Sequence, residues 1–243
     1  MLKTISCFML LFITVNEFAQ FNDSTHYRFR FKGTGSLNKT EAAKAYLLSN
    51  GINFDISRPK IAFNSSASYI YGQQNNVLTN NDFFTSANLD FGKGKSSLYE
   101  WGLANYQTSY SLKVNYKIQA GGGIGFTILD SPRAHLSISD GFLYEANNLI
   151  DATLGQDVYS TVRNSLRLRY KFTIKNIVTF NGTNFVQPSI LSINDYILNL
   201  NNDVTIKLRQ WLNLTTSLNY NRLNRTKREN LLLTFGISID RYF

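Results

Sequence analysis

The chain has 243 residues, enough for one domain or two, with a net charge of +9, one cysteine, and 14 tyrosines beside 18 phenylalanines. A single cysteine excludes a disulfide framework. Basic and aromatic character together would suit nucleic acid, but the first residues direct the chain to export, so anionic lipid or solute is the expected counterpart and no nucleic acid is.

"MLKTISCFMLLFITVNEFAQ" places Lys3 first, runs apolar from Ile5 to Val15 and closes on Ala19 and Gln20, which is the layout of a secretory signal peptide. The run is shorter than the roughly 20 residues of a spanning helix. Residues 1–20 are therefore expected to be cleaved, leaving 21–243 as the working domain. Cys7 leaves with the signal, so the mature chain offers no thiolate for catalysis or metal. Lys3 and Glu17 leave together, and the charge is unchanged.

Beyond the signal the chain alternates with period two. Tyr27, Phe29 and Phe31 alternate with Arg28, Arg30 and Lys32, and Leu166, Leu168, Tyr170 and Phe172 with Arg167, Arg169 and Lys171. In "YSLKVNYKIQAGGGIGFTIL" every second position from Tyr110 to Ile128 is apolar or glycine, and the three- and four-residue spacing of a helix fails. Strands are predicted at 26–37, 45–57, 60–73, 82–93, 97–108, 111–129, 133–147, 157–175, 177–187, 194–209, 211–223 and 229–243. Most exceed the about 9–11 residues that a tilted strand needs to cross hydrocarbon. They also exceed the about 5–6 usual in a soluble sandwich, the competing architecture for an exported binding module.

The connections alternate as well. "SRPK", "GKGK", "DSPR", "KN" and "RQ" follow even-numbered strands, whereas "NKTEAAK", "GQQNNVLTNN", "NNLIDATLGQD", "QPSILSIND" and "NRTKREN" follow odd ones, the short-turn and long-loop asymmetry of outer-membrane barrels. Strands five and six meet at "QTSYS" with little loop, the one departure from that alternation. The expected fold is an all-β transmembrane antiparallel barrel of about twelve strands, preceded by a cleaved signal peptide, in the outer membrane with both termini periplasmic. In "NLLLTFGISIDRYF", Leu231, Leu233, Phe235, Ile237, Ile239 and Phe243 share one face. This segment is expected to close the barrel, with Tyr242 and Phe243 as the signal read by the outer-membrane assembly machinery.

With the apolar faces toward lipid, the lumen receives Arg28, Arg30, Lys32, Arg163, Arg167, Arg169 and Lys171, together with Lys113, Lys117, Lys207 and Arg209. Asp55, Asp90 and Asp240 are the clearest carboxylates of that parity. One sign of charge in a narrow low-dielectric space favours small anions. Alternatively, the cations pair with those aspartates and with Ser, Asn and Tyr and fill the interior. Barrels of about 8 strands are filled and those of about 16–18 are open.

Catalytic signatures are sparse. The run Gly121, Gly122, Gly123, Gly125 lacks the Lys-Ser/Thr of a phosphate loop and lies inside a strand, where glycine marks a bend or a close approach. His26 and His135 stand far apart in sequence, and Asp140 and Glu145 fall on opposite faces of one strand. No catalytic, metal or cofactor residue is assigned, and a lipid-modifying or hydrolytic enzyme is the secondary reading. Arg222, Arg225, Lys227 and Arg228 form a basic loop that could meet lipid phosphates or simply be solvated.

The segments "FKGTGSLNKTEAAKAYLL", "NNVLTNNDFFTSANLDF", "WGLANYQTSYSLKVNY", "IQAGGGIGF", "VRNSLRLRYKF" and "RENLLLTFGISIDRYF" resemble, in order and spacing, the domain-of-unknown-function 481 family. Its members are described as salt-induced outer-membrane proteins, here in the form seen in Bacteroidetes-type bacteria. The resemblance implies a monomeric outer-membrane barrel of uncharacterised activity, and a contribution to envelope integrity or to the osmotic or salt response is the expected role. It supplies no catalytic motif.

Overall fold

The computed structural model describes residues 26–41, 43–92, 97–150 and 155–243, so the expected signal at 1–20 lies outside the described residues. The strands are β1 (Tyr27–Lys39), β2 (Lys44–Ser57), β3 (Ile61–Gln74), β4 (Val77–Phe91), β5 (Leu98–Ser109), β6 (Val114–Ser131) and β7 (Ala134–Leu149). They continue with β8 (Asp157–Asn164), β9 (Leu166–Ile174), β10 (Val178–Pro188), β11 (Tyr196–Lys207), β12 (Leu212–Leu223) and β13 (Arg228–Tyr242). β8 and β9 pair with β7 in one continuous register, Asn164 opposite Phe142 and Arg167 opposite Ser139, and Ser165 between them donates its N–H to Gly141 O at 2.8 Å. They form a single stave, and the wall has twelve.

All neighbours are antiparallel, and β1 pairs with β13 from Arg28–Tyr242 to Gly35–Phe235, which closes the barrel. The end holding His26 and Phe243 is here called the terminal end, and the opposite one the loop end. At the terminal end Tyr27 and Phe243 exchange both backbone hydrogen bonds, at 2.9 and 3.0 Å. The Tyr27 ring stacks between Phe54 and Phe243, with centroids 6.3 and 5.8 Å away, as in the aromatic girdle of a barrel.

The period-two pattern sorts the faces. Ile118, Ile124 and Phe126 of β6, and Leu231, Leu233, Phe235 and Ile237 of β13, are exposed on the outside, whereas Lys117 and Gln119, and Thr234 and Ser238, are buried within. A soluble sandwich would bury the apolar face against a second sheet. Here it is the outer surface that is apolar, and the interior is built from Ser, Thr, Asn, Gln and charged groups. Lipid satisfies such an outer face, and closure satisfies every backbone edge.

Of three expectations, two change. "GQQNNVLTNN" is no loop: β3 runs to Gln74 and β4 starts at Val77 around a two-residue turn, Asn75 and Asn76, both left-handed at φ 50° and 64°. Asparagine tolerates this conformation, and the residues beside it are strand positions, of which Asn80 and Asp82 are buried on the lumen side. Second, the boundary at "QTSYS" stands, as a turn over residues 110–113. Third, Leu112 and Val114 do not face outward: Leu112 lies in the 110–113 turn, the β6–β7 register shifts between Val114 and Tyr116, and both are buried, each 3 % exposed.

The glycine run acts as a close-packing device. A Cβ on Gly121 would strike the Phe142 carbonyl, and one on Gly125 the Tyr99 ring. Trp101 fits this region and donates Nε1–H to Ile124 O at 3.2 Å and to Asp140 O at 3.3 Å.

Candidate functional site

The functional surface that the fold offers is the lumen. All seven predicted basic residues lie on its inner face, but most are matched. Arg28 Nε donates to Asp55 at 2.8 Å, Arg30 forks onto Asp240, and Lys32 reaches Asp203 at 3.1 Å and Ser217 at 3.2 Å. Arg163 is wholly buried: Nε donates to Glu145 at 2.7 Å, Nη2 to Asp195 Oδ1 at 2.9 Å and Nη1 to the Asp195 carbonyl at 2.8 Å. Arg169 donates to Asp90 at 2.8 Å and to Tyr99 at 2.9 Å. Arg167 stacks over Trp101, 4.7 Å from its centroid, and donates to Ser139 at 2.9 Å.

Four inward carboxylates were not singled out from the alternation: Asp82, Glu145, Asp195 and Asp203. Asp82 is the first residue of the strand predicted at 82–93, Asp195 falls in a segment that resembles a loop, and Asp203 sits in an asparagine-rich strand with little contrast between its faces. Glu145 does oppose Asp140 across the sheet, buried against exposed. Two of the expected lumen cations are elsewhere. Lys113 lies in the 110–113 turn at φ 57°, its ammonium 4.1 Å from the Tyr110 centroid, and Arg209 is exposed in the turn after β11.

The interior divides into two sides. Along β5, β7 and β10 it is filled by Tyr99, Trp101, Leu103 and Leu143 with Phe185 packed against them. The other side holds a cavity of about 590 Å³ reaching from Arg28, Asp55 and Lys171 near the terminal end to Ser109, Ser111 and Asn230 near the loop end. Its lining includes Arg28, Arg30, Lys32, Lys117, Arg167, Arg169 and Lys171, against three carboxylates, Asp55, Asp82 and Asp203. Asn and Ser side chains supply much of the rest.

The loop end is capped from within. Leu112 and Val114 pack with Leu149, Ile197 and Leu223, with Tyr159 alongside, an apolar cluster across the inner mouth. Asp82 fastens the turn that carries Leu112: it accepts from Ser109 Oγ at 2.9 Å, from Ser111 N–H at 3.1 Å and from Ser111 Oγ at 2.7 Å. From the far wall Asn230 Nδ2 donates to Ser111 Oγ at 2.9 Å. The basic loop belongs to this closure: Arg225 grips Asp157 at 2.6 Å, lies 3.6 Å from Asp195, and stands over Tyr159 at 3.9 Å, while Arg222 faces Glu229 at 3.7 Å.

The histidines do not converge. His26 Nδ1 lies 3.2 Å from Ser57 O, and His135 Nδ1 lies 3.2 Å from Asp130. Among the described residues no cluster of three His, Cys, Asp or Glu could hold a metal ion. Phe243 joins the outer aromatic stack, whereas Tyr242, one residue earlier, turns toward Arg28, whose guanidinium is 6.0 Å from its ring centroid.

A closed antiparallel wall with an apolar outside and a polar, charged lumen defines an outer-membrane-type β-barrel. The family model described as "Protein of unknown function, DUF481" matches residues 48–237, and the chain belongs to that family. No curated protein matches the sequence. Among solved structures, the translocator domain of the autotransporter NalP from Neisseria meningitidis is similar at TM-score 0.53 and 12% identity, covering 88% of each chain. The NanC porin is similar at TM-score 0.49 and 12% identity, over 88% of this chain and 97% of that one. An outer membrane channel from Pseudomonas putida F1 gives 0.48 and 8%, over 95% and 100%. At these identities the NalP likeness shows the fold alone.

Proposed function

We propose that the protein is a narrow outer-membrane passage that prefers small anions. The observation that carries this reading is the cavity along one side of the lumen, whose lining cations outnumber its carboxylates. A wall of fixed positive charge around low-dielectric space concentrates anions, and amide and hydroxyl groups replace part of a solute's hydration. The loop end would face outward and the termini inward, and the partners would be outer-membrane lipid and the assembly machinery that reads Tyr242 and Phe243. The protein would act as a monomer and by passage rather than catalysis. A passage for ions would tie it to the osmotic or salt response of the envelope.

Reconstitution into a planar bilayer under a potassium chloride gradient tests the reading. Expected is a small conductance with a reversal potential displaced toward that of chloride, the displacement shrinking in Lys171→Glu. A folded barrel that stays electrically silent would mean a filled, structural interior, and a cation-selective current would remove the anion preference. Hydrolysis of lipid by the pure protein would instead establish an enzyme.

A further inference from the structure

The inward cations are not equivalent. Arg28, Arg30, Lys32, Arg163 and Arg169 each reach a carboxylate, and Arg167 is flanked by Trp101 and Phe185 with Asp90 3.8 Å away. Lys117 is 5 % exposed, lines the cavity, and has no hydrogen-bond or ion-pair partner among the described residues. The carboxylate whose field it feels is Glu145, and that group already accepts from Gln119, Asn147 and Arg163. A buried ammonium without a counter-ion is costly, so the position calls for a group that the protein does not supply.

Its neighbours say what else that group carries. Lys117 stands opposite Gln107 on β5 and opposite Asn147 on β7, with Asn105 on the diagonal. Asn105 lines the same cavity; its Nδ2 donates to Gln119 at 3.0 Å, and its Oδ1 is buried with no donor. Asn147 repeats the pattern, with Nδ2 spent on Glu145 and Oδ1 buried without a donor. Diagonal neighbours on one sheet face are about 7–8 Å apart at Cα, within reach of long side chains. Lys117 and Asn105 thus line one space, the first with an ammonium that lacks a counter-ion, the second with an amide oxygen closed off just behind the cavity surface, which a turn of the amide would present to a ligand. A carboxylate with an adjacent O–H or N–H satisfies both; chloride satisfies only the first, and a neutral polyol only the second.

We propose that Lys117 and Asn105 form a binding site for small hydroxy- or amino-carboxylates, directly beneath the apolar closure at the loop end. This rests on the passage reading for the route by which ligand arrives, but not for binding itself. Lys171, the other cavity-lining cation without an ion pair among the described residues, stands opposite His135 while Lys117 stands opposite Asn147. Those two β7 positions are roughly 40 Å apart along the strand at about 3.3 Å per residue, so Lys171 serves as an internal control.

The test is calorimetry on the folded full-length barrel in detergent, titrated with sodium glycerate, sodium propionate or glycerol. Glycerate is expected to bind about tenfold more tightly than propionate, the value of one added hydrogen bond to a buried acceptor, and glycerol not measurably. Lys117→Gln should abolish glycerate binding, Asn105→Leu should erase the preference over propionate while keeping propionate affinity, and Lys171→Gln should change neither. Each variant is first shown to be folded by its unboiled gel mobility. Unchanged binding in Lys117→Gln, or equal affinity for glycerate and propionate in the unsubstituted protein, overturns the proposal. Binding without conductance would sink only the passage, and conductance without binding only this site.

Discussion

At the scale of single residues, the Arg163 cluster sets the sharpest expectation. Arg163 and Glu145 are both fully buried, joined at 2.7 Å and supported by Asp195. Removing one member of a buried pair costs about 3–5 kcal/mol, chiefly because the other charge is stranded. Arg163→Met should therefore lower the guanidinium midpoint sharply, and Arg163→Met with Glu145→Leu should regain much of the loss. A single variant as stable as the parent would show that the cluster is idle. Gly125→Val should be as damaging by another route, driving Tyr99 away from Arg169 and lowering the yield of folded barrel in a refolding assay. The cations themselves were legible in the sequence, since period two fixes which side chains point inward. Asp55, Asp90 and Asp240 were legible with them, but which cation meets which carboxylate was not where the pair joins distant staves: Lys32 meets Asp203 from 171 residues away, and Arg169 meets Asp90 from 79. Nothing in local alternation encodes such meetings.

At the scale of elements, the 110–113 turn carries Leu112 into the apolar cluster at the mouth and is tied to the wall by hydrogen bonds centred on Asp82. Hydrogen bonds to a charged acceptor are worth about 1.5–3 kcal/mol each. Asp82→Ala should raise the open fraction in single-channel recordings several-fold while leaving the gel mobility unchanged; identical gating would mean that the apolar cluster alone holds the mouth. The Asn75–Asn76 turn makes a separate expectation. Asn76→Val should cost about 1–2 kcal/mol, the strain of a branched residue in the left-handed region, and Asn76→Gly should be neutral in the same unfolding titration. Strand positions were readable almost throughout. The misreading at "GQQNNVLTNN" has a physical cause: in a barrel with a wet interior, polarity marks the inner face of a strand as often as it marks a loop.

At the scale of the molecule, the twelve-stave wall should resist detergent and shift in gel mobility between unboiled and boiled samples. Identical mobility, with solubility in plain buffer, would contradict the outward apolar face.

The joint between β1 and β13 has a further consequence. Arg30 and Asp240 are 210 residues apart, and Thr34 and Thr234 are 200 apart, yet both pairs are in contact there. Every other stave meets a neighbour that was made shortly before it, so the wall can grow by local hairpins at small entropic expense. The final meeting is of a different kind, with nearly the whole chain as its loop. Until it forms, two unpaired edges stand in hydrocarbon, where no solvent can occupy their N–H and C=O groups. Insertion should therefore be all-or-none, timed by a single long-range encounter, and substitutions along this joint should slow the appearance of folded protein more than equal substitutions along any hairpin.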